Sequence, residues 1–260
     1  MKCCIIDAHI HLDQYEEVER EVLLSELKRS DCSALIAVSS NLESCMRTLE
    51  LAAQIPEVTP AFGFHPEQAL PNKAEQKALF RWMEEHAERM AAVGEIGLPF
   101  YLRKEHPALE MAGYVRLLEA FLKWAKSWNK PVVLHAIYED ADLVCDLLDK
   151  HGVEKAHFHW FKGSWKSLKR MKERGYYISF TPDIAYEEEI QQIAAFYPLE
   201  LMMMETDGPW PFEGVFAGKR TEPGMIHESI YVLSRLKGIA IEKVYAQIYK
   251  NTVSFYNLKK

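Results

Sequence analysis

His9 and His11 are separated by one residue and stand directly behind the apolar run Cys3-Cys4-Ile5-Ile6. Where a strand gives way to a loop, residues two apart point to the same side of the chain. Both imidazoles can then reach one cation. A lone H-x-H pair arises by chance in many chains, so its meaning depends on similar residues elsewhere. They recur as His65 in Gly63-Phe64-His65-Pro66-Glu67 and as Glu95 in Val93-Gly94-Glu95-Ile96-Gly97-Leu98. His135 follows Pro131-Val132-Val133-Leu134, and His157-Phe158-His159 and Glu205-Thr206-Asp207 complete the series. Six of the ten histidines fall within it. Imidazole with carboxylate suits Zn, Mn, Fe, Co or Ni better than a thiolate site would. Glu95, midway along the set, is placed to bridge two cations. Two cations ~3.5–4 Å apart polarise a phosphoryl or carbonyl oxygen and hold a hydroxide nucleophile. Asp207 is placed to accept the water proton and pass it to a leaving group. The pattern therefore points to metal-assisted hydrolysis.

Something must hold these residues together. The strand candidates are Cys3–Asp7, Ala34–Ser39, Val58–Phe64, Ala91–Glu95, Pro131–His135, Ala156–His159, Tyr176–Phe180 and Glu200–Glu205. They are short apolar runs, as expected of strands buried on both faces. Amphipathic stretches lie between them. Glu17–Arg29 has Val18, Val22, Leu23 and Leu27 at helical spacing, and Leu109–Trp128 has Leu117, Leu118, Phe121, Leu122 and Ala125. Ser164 is a good N-cap for a helix over Trp165–Arg174, and Gly175 a good terminator. Eight strands alternating with helices predict an α/β fold, a (β/α)8 TIM barrel, in which the active site lies at the C-terminal strand ends. Six of the eight strand ends carry His or carboxylate. No linker or low-complexity tract divides the 260 residues, which are expected to form one domain over 1–260.

Composition narrows the partners. The net charge is −7, which argues against a surface coated for sequence-independent nucleic-acid binding and leaves room for a local basic rim. No apolar run reaches the ~18 residues of a membrane span, so no stable membrane association is expected. The N-terminus does not read as a signal peptide. The five cysteines lack metal-finger spacing and read as small buried thiols in a reducing cytoplasm. A monomer is compatible with the sequence.

Each candidate also has a structural reading. His9 and His11 can be satisfied by backbone groups, His135 can be a core histidine, and Asp207 can cap the turn at Gly208-Pro209. Glu95 is too costly to bury unpaired. His157 and His159 share one face, and either is able to be the ligand. His65 either shapes its loop or contacts substrate. Glu205 reads as a support behind the ligands. His86, His106, His151 and His227 are expected at the surface.

With these motifs in place, the chain resembles the TatD family of metal-dependent deoxyribonucleases, within the amidohydrolase superfamily. The resemblance runs nearly end to end. It includes Asp7-Ala8-His9-Ile10-His11-Leu12-Asp13, the His65, Glu95 and His135 motifs, His159-Trp160-Phe161-Lys162-Gly163, Glu205-Thr206-Asp207-Gly208-Pro209, Arg220-Thr221-Glu222-Pro223 and Asn251. It implies a (β/α)8 barrel with one or two divalent ions, drawn from Zn, Mg, Mn, Co or Ni. It implies that His9, His11, Glu95, His135, His159 and Asp207 match the family's ligands. The family's histidine stands four residues before a glycine, here Gly163, so His159 is the match. The implied activity is phosphodiester cleavage in DNA, as a DNase or 3′-exonuclease, with Asp207 both ligand and proton acceptor.

Two departures qualify the substrate. Pro99 stands where the family usually has Asp, and Ala136-Ile137 where it commonly has Ser-Arg. An arginine there would be a natural phosphate clamp. Lys162, Arg103, Lys219 and Arg220 are alternative sources of charge, and Trp160, Phe161 and Trp210 are candidates to stack on a base or line an apolar pocket. A small phosphodiester, or a small ester, amide or lactone, is therefore the alternative substrate. A non-catalytic barrel is the third reading.

Overall fold

The computed structural model describes residues 3–258. Eight strands run parallel and pair in sequence order: β1 (Ile5–Ile10), β2 (Cys32–Ala37), β3 (Val58–Phe62), β4 (Ala92–Gly97), β5 (Val132–His135), β6 (Ala156–Phe158), β7 (Tyr177–Phe180) and β8 (Met202–Met204). The helices are α1 (Glu17–Glu26), α2 (Leu42–Gln54), α3 (Lys73–Glu85), α4 (Phe100–Glu105), α5 (Met111–Ser127), α6 (Asp140–His151), α7 (Trp165–Arg174), α8 (Glu188–Phe196), α9 (Ile226–Lys237) and α10 (Ile241–Tyr256). The chain past β8 returns beside β1, where the Asp207 N–H donates to the His9 carbonyl at 2.9 Å and the His11 N–H to the Gly208 carbonyl at 2.8 Å. These bonds draw the seam together, and the architecture is the expected (β/α)8 barrel.

The strands alternate between two apolar layers. Leu35, Ala37, Phe62, Val132 and Leu134 pack outward against the helices. Ile6, Ala8, Ile36, Val38, Ala61, Ala92, Val133 and Met203 form a smaller inner cluster with Phe255 and Tyr256 of α10. The Asn251 side chain ties α10 to the start of β8 by donating to the Leu199 and Met202 carbonyls, both at 2.7 Å.

Two strands break this alternation where chemistry is expected. Val93 and Ile96 both face the outer layer although they are three residues apart, and the β4–β5 register shifts between them. The β1–β2 register shifts between Asp7 and Ile10. Such irregularities re-aim side chains near active sites. Here they turn Glu95 and the His9 segment away from simple alternation.

Several local expectations hold. Ser164 caps α7 by accepting the Ser167 N–H, and Gly175 ends it at φ +70°. The second and eighth strand candidates are realised as β2 and β8. Boundaries moved where turns intervene: β1 starts at Ile5 and continues to Ile10, and Leu199–Leu201 form a 3-10 turn ahead of β8. One apolar face was misread. Val18 is 72% exposed and Val22 41% exposed, because only Leu23 of α1, with Leu27 just beyond it, turns fully into the core. Cys32, Cys45 and Cys145 are buried as expected, but Cys3 is exposed. His86, His151 and His227 are half-buried rather than superficial. His227, for example, lies between the Tyr245 hydroxyl (2.7 Å) and the Ser30 carbonyl (2.8 Å).

Candidate active site

Strands β1, β4, β5 and β6 and the segment after β8 bring His9, His11, Glu95, His135, His159 and Asp207 to one place. Glu95 is fully buried at its centre. Its Oε2 lies 3.1 Å from His9 Nε2 and 3.3 Å from His11 Nε2. Its Oε1 lies 2.7 Å from His159 Nε2 and 3.1 Å from His135 Nδ1. Asp207 Oδ1 closes the first group, 3.3 Å from His9 Nε2 and 3.4 Å from His11 Nε2. Each Glu95 oxygen thus faces a pair of histidines. The His9 and His159 rings stack with centroids 3.9 Å apart.

Close backbone approach makes this geometry. A Cβ on Gly97 would lie 1.9 Å from the His135 carbonyl oxygen, and one on Gly63 would lie 2.6 Å from the Glu95 carbonyl oxygen. Only glycine lets β4 sit tightly between its neighbours at this level. Asp207 occupies the left-handed region at φ +50°, a conformation that aspartate tolerates better than most residues.

The cluster fits a cation. His9 Nε2, Glu95 Oε2 and Asp207 Oδ1 are buried and have no hydrogen-bond partner among the described residues, although they converge on one another. Buried polar atoms left so are costly unless something binds them. Three overlapping sets offer donor atoms within 4.8 Å of one another: His9, His159 and Asp207; His9, His11 and Glu95; and His65, Glu95 and His135. Nitrogen and carboxylate oxygen suit a divalent transition ion.

Titration behaviour agrees. Burial opposes charge on His11, His135, His159, Glu95 and Asp207, yet opposite charges overcome it. His11 is lowered by burial but raised overall to about 10 by Asp207 and Glu95. His159 and His135 are also raised, against burial, by the adjoining carboxylates. Glu95 and Asp207 are held well below the usual carboxylate range, burial being outweighed by the histidines. Protonated histidines thus balance two buried carboxylates, a charge role that a divalent ion takes over when bound.

The surrounding residues separate into contacts and supports. His65 is beside the centre, its Nε2 3.4 Å from Glu95 Oε1, and burial lowers it to about 4. Glu205 is fully buried behind His159. It accepts the Trp160 N–H at 2.7 Å and the Ser179 hydroxyl at 2.5 Å, with Oε1 3.6 Å from His159 Nδ1. His157 points away from the cluster, bonded to the Tyr256 hydroxyl (2.7 Å) and Ser179 (2.6 Å). The structure therefore places His159, not His157, in the cluster.

Trp160 lies at the mouth with φ +38°. Its indole N–H donates to Asp183 at 2.6 Å, and its ring neighbours Trp210 and Phe212. Lys162 Nζ is 3.7 Å from Asp183 and 5.1 Å from the Trp160 ring centroid. Phe161 is not a mouth residue: it is fully buried in the outer layer. Arg103 is engaged by Asp140 at 2.8 Å and Glu139 at 3.1 Å. Arg220 lies 3.6 Å from Glu222. Ala136 and Ile137, directly after His135, are buried, Ala136 within the outer layer.

Asp7 and Glu67, which the motifs contain without indicating a role, are two further supports. Asp7 accepts the Thr206 hydroxyl, the Thr206 N–H and the His9 N–H, which locks the β1–β8 seam. Burial pushes its carboxyl up to about 7. Glu67 reaches His135. Its signal was a carboxylate two residues beyond His65, which a loop motif does not distinguish from a solvated one.

An α/β barrel carrying a buried histidine–carboxylate cluster at its strand ends is the arrangement of a metal-dependent hydrolase. The model of the TatD related DNase family matches residues 6–257, and the chain belongs to that family. It is 39% identical over 255 residues to an uncharacterized metal-dependent hydrolase of Haemophilus influenzae, covering 98% of this chain and 100% of that protein. It is 26% identical over 262 residues to human deoxyribonuclease TATDN3, covering 97% of this chain and 94% of that protein. The crystal structure of YjjV, a TatD homolog from Escherichia coli K12, superposes with a TM-score of 0.89 at 26% identity, covering both chains fully. No helix among the described residues is long and apolar enough to cross a membrane.

Proposed function

We propose that the six clustered side chains hold one or two divalent ions and that the protein hydrolyses phosphodiester bonds in DNA. The observation that carries this reading is the convergence of the unpartnered, buried His9 Nε2, Glu95 Oε2 and Asp207 Oδ1. Glu95 would help to hold the ions, having His9 and His11 beside one oxygen and His135 and His159 beside the other. When bound, the metal supplies a polarised phosphoryl oxygen and a water of lowered pKa. Asp207 Oδ1 takes the proton of the attacking water and returns it to the leaving oxygen. Glu205 holds His159 and the Trp160 backbone from behind. His65 and Lys162 line the approach, and Trp160 offers an aromatic face to a base. The buried thiols of Cys32, Cys45 and Cys145 support a reducing, cytoplasmic setting.

A second reading keeps the metals and replaces DNA with a small ester, amide or lactone. It is favoured by Ala136-Ile137, which offer no cation beside His135, and by the engagement of Arg103 with Asp140.

The test is a metal-titrated assay of chelator-stripped protein on single-stranded DNA, a model phosphodiester and small esters. Metal-dependent cleavage of DNA, abolished in folded His135→Ala and Asp207→Asn variants, is expected. Full activity in either folded variant refutes the site. Metal-dependent turnover of esters alone selects the second reading.

A further inference from the structure

Glu67 lies outside the six-residue cluster but touches it. Its Oε1 is 3.0 Å from His135 Nε2. The other nitrogen of that ring, Nδ1, lies 3.1 Å from Glu95 Oε1 and 3.3 Å from His159 Nε2. The His135 ring therefore spans from the centre of the cluster to Glu67. An ionised carboxylate only accepts hydrogen bonds. Facing Glu67, Nε2 must carry a proton, so Nδ1 is the nitrogen left to give up its own proton and offer a lone pair to a cation beside Glu95.

Glu67 is itself fixed. Its Oε1 accepts the Tyr101 N–H at 2.9 Å and its Oε2 accepts the Leu102 N–H at 2.6 Å. Both donors belong to the first turn of α4, which opens at Pro99 with no side-chain cap of its own. These two bonds fix the orientation of the carboxylate toward His135.

We propose that Glu67 is a positioning residue for metal binding: it sets the tautomer and tilt of His135 so that Nδ1 is the donor to the cation. Carboxylate partners of ligating histidines act in this way, and losing one typically costs 10–100-fold in metal affinity or activity. The inference rests on the reading that the cluster holds a cation. A purely structural alternative exists, in which Glu67 only caps α4 from a neighbouring loop. That role would lower stability and leave metal affinity alone.

The experiment is a Zn2+ competition titration against a chromophoric chelator, using wild type, Glu67→Ala, His135→Ala and the double variant. Glu67→Ala is expected to weaken Zn2+ binding about 10–100-fold in the wild-type background. In the His135→Ala background the same change is expected to weaken it by less than about twofold, because a residue acting through His135 has nothing left to act on. Glu67→Gln, which keeps a neutral acceptor for His135, should recover part of the affinity. Unchanged affinity in Glu67→Ala, or an equal loss in both backgrounds, overturns the proposal. Should Glu67→Ala fail to fold, long-range 1H–15N spectra of the Zn2+-loaded wild type decide. Protonation of His135 at Nε2 is expected, and coordination through Nε2 overturns the proposal. A wild-type protein that takes up no Zn2+ refutes the functional reading itself, a result distinct from normal uptake that is indifferent to Glu67.

Discussion

Replacing Gly97 with alanine tests whether the fold itself sets the site geometry. The new Cβ would lie 1.9 Å from the His135 carbonyl oxygen and 2.7 Å from its carbonyl carbon. Neither neighbour is the end of a flexible side chain. Contacts under 3.0 Å are essentially never seen for a real Cβ, so the strands must part by about 1 Å at the level where Gly97 pairs with His135. Overpacking of this kind costs about 1–3 kcal/mol. A misplacement of about 1 Å in a catalytic constellation costs on the order of 100-fold in rate. His135 and Glu95 sit on the two strands being separated. We therefore expect Gly97→Ala to be destabilised by about 2 kcal/mol in urea and to lose about 100-fold in metal-dependent turnover. Gly113→Ala is the control. Its Cβ would meet only the flexible end of Leu70, at 2.4 Å, and alanine favours the α5 helix, so stability and turnover should stay near wild type. A Gly97→Ala protein as stable and active as Gly113→Ala would refute the reasoning.

Metal removal should lower thermal stability as well as activity. A ligand at about 1,000 times its Kd stabilises by about 4 kcal/mol, equivalent to roughly 10 °C for a domain of this size. Differential scanning with and without chelator measures it, and an unchanged midpoint would count against a cation in the cluster. His157 governs part of the acid limb. Burial holds it well below its ordinary value of 6.5, so it stays neutral when folded while the unfolded chain takes a proton. Its contribution is present above pH 6.5 and is lost as pH falls below that, by about 1.4 kcal/mol per unit. Urea titrations at pH 7.5 and 5.5 should show His157→Gln with a pH-dependent loss smaller by about that amount, and equal losses would contradict the assignment. Val18→Lys, on the exposed side of α1, should change stability by less than about 0.5 kcal/mol. A larger loss in chemical denaturation would restore Val18 to the core.

The barrel and its ligand-type residues were legible because both follow from local pattern. Short apolar runs mark strands buried on both faces, and histidine or carboxylate at their ends marks the functional face. Other features depend on distant partners. Which side of α1 is buried is decided by the neighbours of Leu23 and Leu27, so Val18 and Val22 matched the helical period and still face solvent. Phe161 sits within a motif at the mouth, but the left-handed backbone at Trp160 turns the chain so that Phe161 enters the outer layer. Strand alternation alone left His157 and His159 open and the family resemblance pointed to His159; what holds His157 away is the Tyr256 hydroxyl, which arrives from α10 at the far end of the chain. Glu67 and Asp7 belong to the same class: their importance lies in a bond to His135 and to Thr206, respectively, and spacing alone does not encode either.

The most direct test of the central claim is anomalous diffraction from crystals of the chelator-stripped protein soaked in Zn2+. One or two peaks are expected within coordinating distance of Glu95, one between Oε2 and His9 and His11, the other between Oε1 and His135 and His159. No peak at Glu95 under saturating Zn2+, or peaks only at surface residues, would contradict the account.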